Sequence, residues 1–202
     1  MRTQFSKIVF MAGIMLALIF TLSCSSGEDD GGGGSGKGNN IANYKTVQIG
    51  TQTWMAENLN YNASGSVCYD NDPANCVKYG RLYKWETAKT VCPSGWHLPS
   101  NAEWSALISY VENDKGCSSC AGLYLKTTDW GGTDDFGFSA LPGGRGYPNG
   151  GFLNVGDYGN WWTATENDAT YAYYRNIYYF YANVSSSDFN KTYLFSVRCV
   201  QD

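Results

Sequence analysis

Basic side chains are scarce in this 202-residue sequence, which has 14 Lys and Arg against 18 Asp and Glu and a net charge of −4. Proteins that bind nucleic acid carry clusters of Lys and Arg that neutralise phosphates. The sequence has no such cluster, and adhesion to an anionic lipid surface is disfavoured for the same reason. The composition therefore excludes nucleic acid as a partner.

Histidine and aliphatic residues are also sparse. His97 is the only histidine, whereas a zinc site needs several ligands, so we expect no metal site. His97 is either a general base or a turn-stabilising residue, and the second is favoured because residues 95–99 (GWHLP) include no partner nucleophile. The 7 Trp and 16 Tyr instead predict a core of large rings, each burying roughly 150–250 Å².

The first residues have the pattern of a secretion signal. Arg2 and Lys7 precede residues 8–22, which are almost entirely apolar. This run is shorter than the about 20 residues that cross a bilayer, and it has the length of a signal-peptide hydrophobic region. Residues 21–24 (TLSC) resemble a lipobox, although leucine stands one position later than usual. We expect residues 1–23 to be a lipoprotein signal peptide and Cys24 to be lipidated; an ordinary cleaved signal is the alternative.

The segment after Cys24 has no apolar side chain to bury. Residues 25–40 (SSGEDDGGGGSGKGNN) should behave as flexible coil with an average reach of roughly 20 Å. We expect residues 24–43 to tether a single domain, residues 44–202, to the outer membrane on its exterior side. The acidic residues 28–30 resemble surface-export signals of lipoproteins in Bacteroidota-like bacteria. The alternative is a solvent-exposed acidic segment that no export machinery recognises. Loss of the signal leaves 12 basic against 18 acidic residues, a net charge of −6.

Six further cysteines form an even set, which in an exported chain predicts disulfide bonds. They are Cys68, Cys76, Cys92, Cys117, Cys120 and Cys199. Sequence alone does not choose among their pairings. Cys68 and Cys76 flank a turn-rich stretch (YDNDPAN), so a local bridge across that loop is expected.

Cys117 and Cys120 form a CxxC motif, which can be a redox pair, half of a zinc site or a structural bridge. A reactive pair is expected at a helix start within a βαβ pattern. This pair follows a predicted helix among Gly and Ser, which favours a structural loop bridge. Cys92 and Cys199 would then remain, and they would tie the early helical region to the last strand.

Local patterns predict an α+β domain. Ser100 and Glu103 form a capping box, and the residues after it show the apolar spacing of a helix that ends near residues 113–116. This apolar stripe comprises Trp104, Leu107, Ile108 and Val111. A shorter helix is expected over residues 81–90, and two short strands around Gly50 over residues 45–59. After Gly116 the helical pattern gives way to loops and strands.

Motifs along the whole domain resemble the Fibrobacter succinogenes major paralogous domain. They are residues 47–59 (VQIGTQTWMAENL), 79–83 (YGRLY), 92–99 (CPSGWHLP), 102–104 (AEW), 137–144 (GFSALPGG), 161–162 (WW) and 196–200 (SVRCV). The resemblance implies a C-type-lectin-like fold, with two helices on a small twisted antiparallel sheet, long irregular loops and adjacent termini. A Cys92–Cys199 bridge would match the long disulfide of that fold. No activity carries over from the family.

Neither calcium nor catalysis gains support from this resemblance. Sugar-binding C-type lectins hold calcium around a proline flanked by carbonyl-bearing side chains, but Tyr147 precedes Pro148 here. Asp134 and Asp135 offer oxygens, whereas calcium takes about six to eight, so no cofactor is expected. The related formylglycine-generating, sulfatase-modifying enzymes need cysteine pairs near the C-terminal region. Only Cys199 lies there, which disfavours an enzyme.

The most unusual stretch is residues 171–181 (YAYYRNIYYFY), with six tyrosines. One face of a strand cannot bury them all, and Tyr with Ser and Asn is typical of binding surfaces. An aromatic cross-strand ladder is the structural alternative. The candidate ligand-binding residues are Tyr173, Tyr174, Tyr178, Tyr179, Tyr181 and Asn183. The sequence thus predicts a surface-anchored lipoprotein that binds an extracellular glycan or protein without catalysis; a structural cell-envelope component is the alternative.

Substitution of Cys24 by Ser tests the anchor. We expect the variant to stay unprocessed or to be released, and to incorporate no labelled palmitate, because stable attachment takes more than one acyl chain on the modified cysteine. Detergent partitioning of the variant and the parent chain provides the measurement. Equal membrane retention of the two chains would contradict lipidation at Cys24.

Overall fold

A computed structural model describes residues 38–202, so Cys24, the predicted signal and most of the tether lie outside the described residues. The helices are α1 (Pro73–Tyr79), α2 (Trp85–Ala88), α3 (Asn101–Lys115) and α4 (Ala121–Leu125). The strands are β1 (Thr46–Ile49), β2 (Gln52–Met55), β3 (Leu82–Tyr83), β4 (Trp96–His97), β5 (Gly143–Gly146), β6 (Phe152–Val155), β7 (Tyr158–Glu166), β8 (Tyr171–Tyr178), β9 (Ser185–Asn190), β10 (Phe195–Ser196) and β11 (Val200–Gln201). Within residues 38–202, none of the helices combines the length and apolar composition that a membrane crossing requires.

The smaller sheet joins the two ends of the domain. Its four strands lie in the order β1-β2-β11-β4, and every pairing is antiparallel. Gly50, with a φ of 62°, makes the left-handed turn between β1 and β2. Val200 of β11 pairs with Trp54 of β2 on one side and with His97 of β4 on the other. The two strands predicted around Gly50 are confirmed, and the last strand closes the domain against the first hairpin.

The larger sheet is built around β7. Its seven strands include the path β3-β10-β7-β5-β6, and β8 and β9 extend it from the other edge of β7. β7 is antiparallel to β8 but parallel to β5 and β10. The predicted α+β class is confirmed, whereas a single small antiparallel sheet is not what the structure contains. The chain passes through β6 between β5 and β7, and through β8 and β9 between β7 and β10. Neither parallel pair is therefore joined by a single hairpin, which pairs only antiparallel strands.

The predicted capped helix is confirmed as α3. The Ser100 hydroxyl accepts a hydrogen bond from the Glu103 amide at 3.2 Å, and a Glu103 carboxylate oxygen accepts one from the Ser100 amide at 2.7 Å. Gly116, with a φ of 63°, ends the helix in the left-handed conformation. Trp104, Leu107 and Val111 are buried in a cluster to which both sheets contribute side chains.

The helix predicted over residues 81–90 is wrong in its extent. Only Trp85–Ala88 is helical, and Leu82 lies in β3, where it pairs with Ser196. Gly80, with a φ of 77°, ends α1 and turns the chain into an extended run. A Cβ there would lie 2.7 Å from the Asn58 Cβ, so the close approach also requires glycine.

Two helices lie where loops were predicted. α1 starts within the stretch between Cys68 and Cys76, where the Asp72 carboxylate accepts from the Ala74 amide at 2.9 Å and Pro73 occupies the first turn. α4 follows Cys120 after the point where helical periodicity ends. Both helices are too short, at 7 and 5 residues, to show an apolar repeat in the sequence.

Adjacent tryptophans of β7 connect the two sides of the domain. Alternation along a strand points Trp161 and Trp162 to opposite faces. Trp161 packs 6.0 Å from the Trp104 ring of α3, whereas Trp162 lies 4.3 Å from the Phe195 ring in a separate cluster. Both rings are fully buried, so β7 is the wall shared by two aromatic cores.

A buried polar network lies beside Trp161. The Arg198 guanidinium donates to the Phe138 carbonyl and to the Asn58 side-chain oxygen, the latter at 3.0 Å. The same Asn58 oxygen accepts from the Trp161 indole at 2.8 Å. Burial lowers the pKa of Arg198 to about 9. A cation with so little access to water must be held by these oxygens.

Three disulfides staple the domain, and they join the pairs expected from the sequence. Cys68 is bonded to Cys76 and Cys117 to Cys120, so two of the bridges are local. The bond between Cys92 and Cys199 spans 107 residues and brings their Cα atoms to 5.9 Å. It ties the segment before β4 to the end of the larger sheet and the start of β11.

The long disulfide should contribute more to stability than the loop bridges. In the chain-entropy model, closing a loop of about 100 residues stabilises by roughly 4.7 kcal/mol, against roughly 2.5 kcal/mol for 8 residues. We expect Cys199→Ser to lower the free energy of unfolding by roughly 2–5 kcal/mol. Cys68→Ser is the matched control and should cost less. Denaturant titration measures both, and equal losses would contradict the assignment.

Candidate functional site

The tyrosines of β8 are divided between its two faces. Tyr174 points into the core, where its ring lies 4.9 Å from that of Phe195 and 5.8 Å from that of Phe189. Burial raises the pKa of Tyr174. Tyr174 was a candidate ligand contact, and the structure places it in the core because the face of β8 that also carries Ala172 packs on the aromatic cluster of Trp162.

Tyr173 lies on the opposite face of the strand. It is half-buried and sits opposite Asp188 of β9, and its carbonyl accepts from the Thr163 hydroxyl at 3.0 Å. Tyr173 lies near the start of β8, whereas the candidates Tyr178, Tyr179 and Tyr181 lie at or beyond its end. Tyr173 therefore belongs to the sheet rather than to the surface described next.

An exposed cluster of rings, here named the aromatic patch, lies where β8 ends. Its members are Tyr158, Tyr178, Tyr179, Phe180 and Tyr181. Tyr158 and Tyr178 stack across β7 and β8 at 4.5 Å with 23° between their planes. Tyr178 also meets Tyr179 edge-on at 4.7 Å and Tyr181 at 5.4 Å. The exposed fraction of the residue is 45% for Tyr179, 73% for Phe180 and 58% for Tyr181.

A buried lysine holds the backbone beneath the aromatic patch. The Lys126 ammonium donates to the Tyr179 carbonyl at 2.8 Å and to the Tyr181 carbonyl at 3.1 Å. Only 2% of Lys126 is exposed, and burial lowers its pKa. Both acceptors are main-chain groups, so the lysine orders the turn while the rings of residues 179–181 remain free to face outward.

Helix α4 supports the same turn from below. The Leu123 amide donates to the Ala182 carbonyl at 2.9 Å. A Cβ on Gly122 would lie 2.5 Å from the Asn183 carbonyl oxygen, so glycine is required for this contact. Asn183, another candidate, is half-buried, and its amide donates to the Ser185 hydroxyl at 2.8 Å. Its side chain therefore helps to close the turn.

The CxxC cysteines have a structural position in the described chain. Cys117 and Cys120 are bonded to each other between the end of α3 and the start of α4. The Cys120 amide also donates to a Glu112 carboxylate oxygen at 3.2 Å. This short link fixes α4, and through α4 the turn that carries the aromatic patch.

His97 is held by carboxylates on both ring nitrogens. Nδ1 lies 2.7 Å from an Asp202 oxygen and Nε2 lies 2.7 Å from a Glu103 oxygen. Burial alone would lower the pKa of His97, but the hydrogen bonds to Asp202 and Glu103 outweigh it and raise the pKa. The imidazole thus joins β4, the first turn of α3 and the end of the chain, with neither nitrogen left for a substrate.

The acidic residues considered for calcium have other partners. The Asp134 carboxylate accepts from the Ser139 amide and hydroxyl, each at 2.7 Å, and Asp135 lies 2.7 Å from the Lys115 ammonium. Across residues 38–202, the structure brings together no group of three His, Cys, Asp or Glu side chains able to hold a metal. Tyr147, beside Pro148, packs against the Tyr193 ring at 5.2 Å.

The structure adds three residues to the candidate site that the sequence interpretation left out. Phe180 lies within the tyrosine-rich stretch and is the most exposed ring of the aromatic patch. Tyr158 is distant in sequence and joins only through the pairing of β7 with β8. Lys126 carries no sequence signal, since a single lysine after a helix is ordinarily solvent-exposed.

The family model described as Fibrobacter succinogenes major domain matches residues 47–201 of the chain. This match covers nearly all of the described domain, including both sheets and all three disulfides. Comparison with curated proteins and with solved structures finds no match.

Single truncations should separate the core ring from the patch rings. We expect Tyr174→Ala to lower the free energy of unfolding by more than about 2 kcal/mol, because it removes a partly buried ring packed on the aromatic core. Tyr179→Ala and Tyr181→Ala should change it by less than about 1 kcal/mol, since surface substitutions contribute little. Thermal unfolding of the three variants measures this. A similar loss for all three would assign the whole stretch to the core.

The His97 cluster should make stability depend on pH. Because the folded pKa of His97 lies above its ordinary 6.5, its contribution is fully present below about pH 6.5 and is lost as pH rises through the folded value. Burial would raise the pKa of Glu103, but hydrogen bonds from Ser100 and His97 lower it, so Glu103 stays ionised in that range. We expect the melting-temperature gap between the parent chain and His97→Gln to be larger at about pH 5.5 than at about pH 8.5. A gap that grows with pH would contradict this linkage.

Proposed function

The chain belongs to the Fibrobacter succinogenes major domain family, and we propose that it is a surface-anchored lipoprotein whose domain binds an extracellular ligand without catalysis. The observation that carries this proposal is the aromatic patch. Three of its five rings are exposed, its rings touch one another, and the backbone of residues 179–181 is hydrogen-bonded to a buried lysine. Such an arrangement offers contact area at little entropic cost on binding.

The size of the aromatic patch supports a binding role. At roughly 200 Å² per ring, Tyr179, Phe180 and Tyr181 together expose on the order of 350 Å². The largest exposed apolar patch on a typical monomer measures about 300–600 Å² and is often functional. Exposing these rings opposes folding, since each could bury apolar area elsewhere. Their retention at the end of a stapled, hydrogen-bonded turn favours a contact surface over a folding element.

Within the α+β class, the fold that we propose for this domain is C-type-lectin-like. The motif resemblance supports it, together with the adjacent first and last strands and a disulfide that spans most of the domain. The larger sheet has more strands than the expected small antiparallel sheet, and two of its pairings are parallel.

A non-catalytic role agrees with the state of the reactive side chains. All six cysteines of residues 38–202 are paired in disulfides. His97 has a carboxylate on each nitrogen. A nucleophile with an adjacent base is the usual requirement for covalent catalysis, and neither residue type offers one here.

Attachment to the outer membrane rests on the sequence before residue 38. Cys24 with its preceding apolar run would supply the lipid anchor, and the Gly/Ser-rich tether would hold the domain away from the headgroups. A structural component of the cell surface with no soluble ligand is the second candidate function. The exposed rings favour a ligand, because a purely structural component has no evident use for them.

Binding can be tested with the full-length chain in detergent on an array of oligosaccharides and a panel of purified extracellular proteins. The variant replaces Tyr179, Phe180 and Tyr181 by Ser, which leaves the carbonyls bound by Lys126 in place. We expect affinity for the bound probes to fall at least about thirtyfold, as for loss of interface anchor residues. Tyr171→Ser, another exposed tyrosine, is the matched control and should change little. Binding that survives the triple substitution, or its absence from every probe, would contradict the proposal.

A further inference from the structure

We propose that the ligand is a neutral glycan, and that a cleft beside the aromatic patch receives one of its sugar rings while the patch carries the next. This inference rests on the proposed binding function and names the ligand class. The cleft has a volume of about 310 Å³. That value is at the low end of the range for small-molecule sites, about 300–1,000 Å³, and it suits a single ring.

The cleft is formed by four segments that are distant in sequence, one of which is the turn at Gly156 before β7. The end of α1 contributes Lys78 and Tyr79, the turn Thr128–Trp130 contributes Asp129 and Trp130, and the segment before β5 contributes Pro142. The Lys78 ammonium lies 4.9 Å from the centre of the Tyr79 ring. Lys78 and Asp129 are exposed, so they present opposite charges to an occupant.

Two contacts join the cleft to the aromatic patch. Lys126, which binds the carbonyls beneath the patch, lies 5.7 Å from the centre of the Trp130 ring in the cleft wall. On the other side, Gly156 lines the cleft, and the main-chain carbonyl of the next residue, Asp157, accepts a hydrogen bond from the Tyr179 amide at 2.9 Å. Tyr158 then enters the patch. The chain from Gly156 to Tyr158, whose first two residues are exposed, therefore links the cleft to the aromatic patch.

The lining of the cleft favours a sugar over other occupants. A sugar ring presents C–H faces, which pack on aromatic rings, and a rim of hydroxyls, which need donors and acceptors. The half-buried Tyr79 offers a ring, and Lys78 and Asp129 offer the polar groups, whereas Trp130 is only 6% exposed and forms part of the wall. A wholly apolar ligand would strip water from both charges without replacing their hydrogen bonds, which is unfavourable.

The area and charge of the surface argue against two other classes of ligand, proteins and polyanionic glycans. A stable protein partner covers about 800 Å² on each side, whereas the three most exposed patch rings offer on the order of 350 Å² at roughly 200 Å² each. The chain has 18 acidic against 14 basic residues, which disfavours polyanionic glycans. Asp129 is the only carboxylate lining this cleft among the described residues. Calcium takes about six to eight oxygens, so binding here should not need it.

The test titrates the full-length chain in EDTA with neutral oligosaccharides of one to six sugars, and with acidic oligosaccharides of matched length. Asp129→Asn and Lys78→Gln alter exposed side chains of the cleft. Asp114→Asn and Lys84→Gln are the matched controls, exposed and outside the cleft. We expect each cleft variant to weaken neutral oligosaccharide binding at least tenfold, and each control to stay within twofold. Affinity should rise when a second sugar is added to the first.

The outcomes separate this inference from the proposed function. If the patch substitutions abolish binding while both cleft variants bind as the parent chain does, the cleft assignment is wrong and the patch proposal stands. If neither the patch substitutions nor the cleft variants change binding, both the patch proposal and the cleft assignment are wrong. Preference for acidic oligosaccharides, binding of proteins alone, loss of binding in EDTA, or equal affinity for one sugar and for longer chains would each overturn the neutral glycan arrangement.

Discussion

The burial of one guanidinium constrains the centre of this domain. Arg198 has no exposed surface, and its charge is met by the Phe138 and Ser139 carbonyls and the Asn58 side-chain oxygen rather than by water. The Phe138 ring also lies 4.1 Å from the guanidinium carbon. A buried cation tolerates little displacement of the groups that compensate it. The segments that supply these oxygens must therefore meet at Arg198 whenever the chain is folded.

Asn58 extends this constraint to the cleft beside the aromatic patch. Besides accepting from Arg198 and from the Trp161 indole, its amide donates to the Tyr79 carbonyl at 2.8 Å. Tyr79 ends α1 and lines the cleft, and Trp161 lies in the strand that begins with Tyr158. The family motifs around Asn58, Tyr79, Phe138, Trp161 and Arg198 are scattered over the sequence but converge on one polar network. Through this network, the position of Tyr79 in the cleft wall is tied to the position of β7.

The candidate site was only partly predictable. The tyrosine-rich composition of residues 171–181 indicates that some rings reach the surface, and the structure places Tyr178, Tyr179 and Tyr181 in the aromatic patch. Which rings do so depends on what each face of β8 packs against, and Tyr174 was assigned to the surface for lack of that information. Lys126 and Trp130 were missed because their roles arise from contacts between α4, the turn Thr128–Trp130 and a segment over fifty residues away.

The sequence by itself determined the features that depend on neighbouring residues. These are the capped start of α3, the hairpin around Gly50 and the α+β class, since capping and left-handed glycine turns act within a few residues. It favoured the two local disulfides, and the structure decided the pairing of all six cysteines. Only the tertiary structure decided the mixed sheet around β7, the length of α2, the burial of Lys126 and the position of the cleft. Those features depend on which distant segments share a core, and the free energy of burying Arg198, Trp161 and Lys126 belongs to the assembled fold rather than to any local segment.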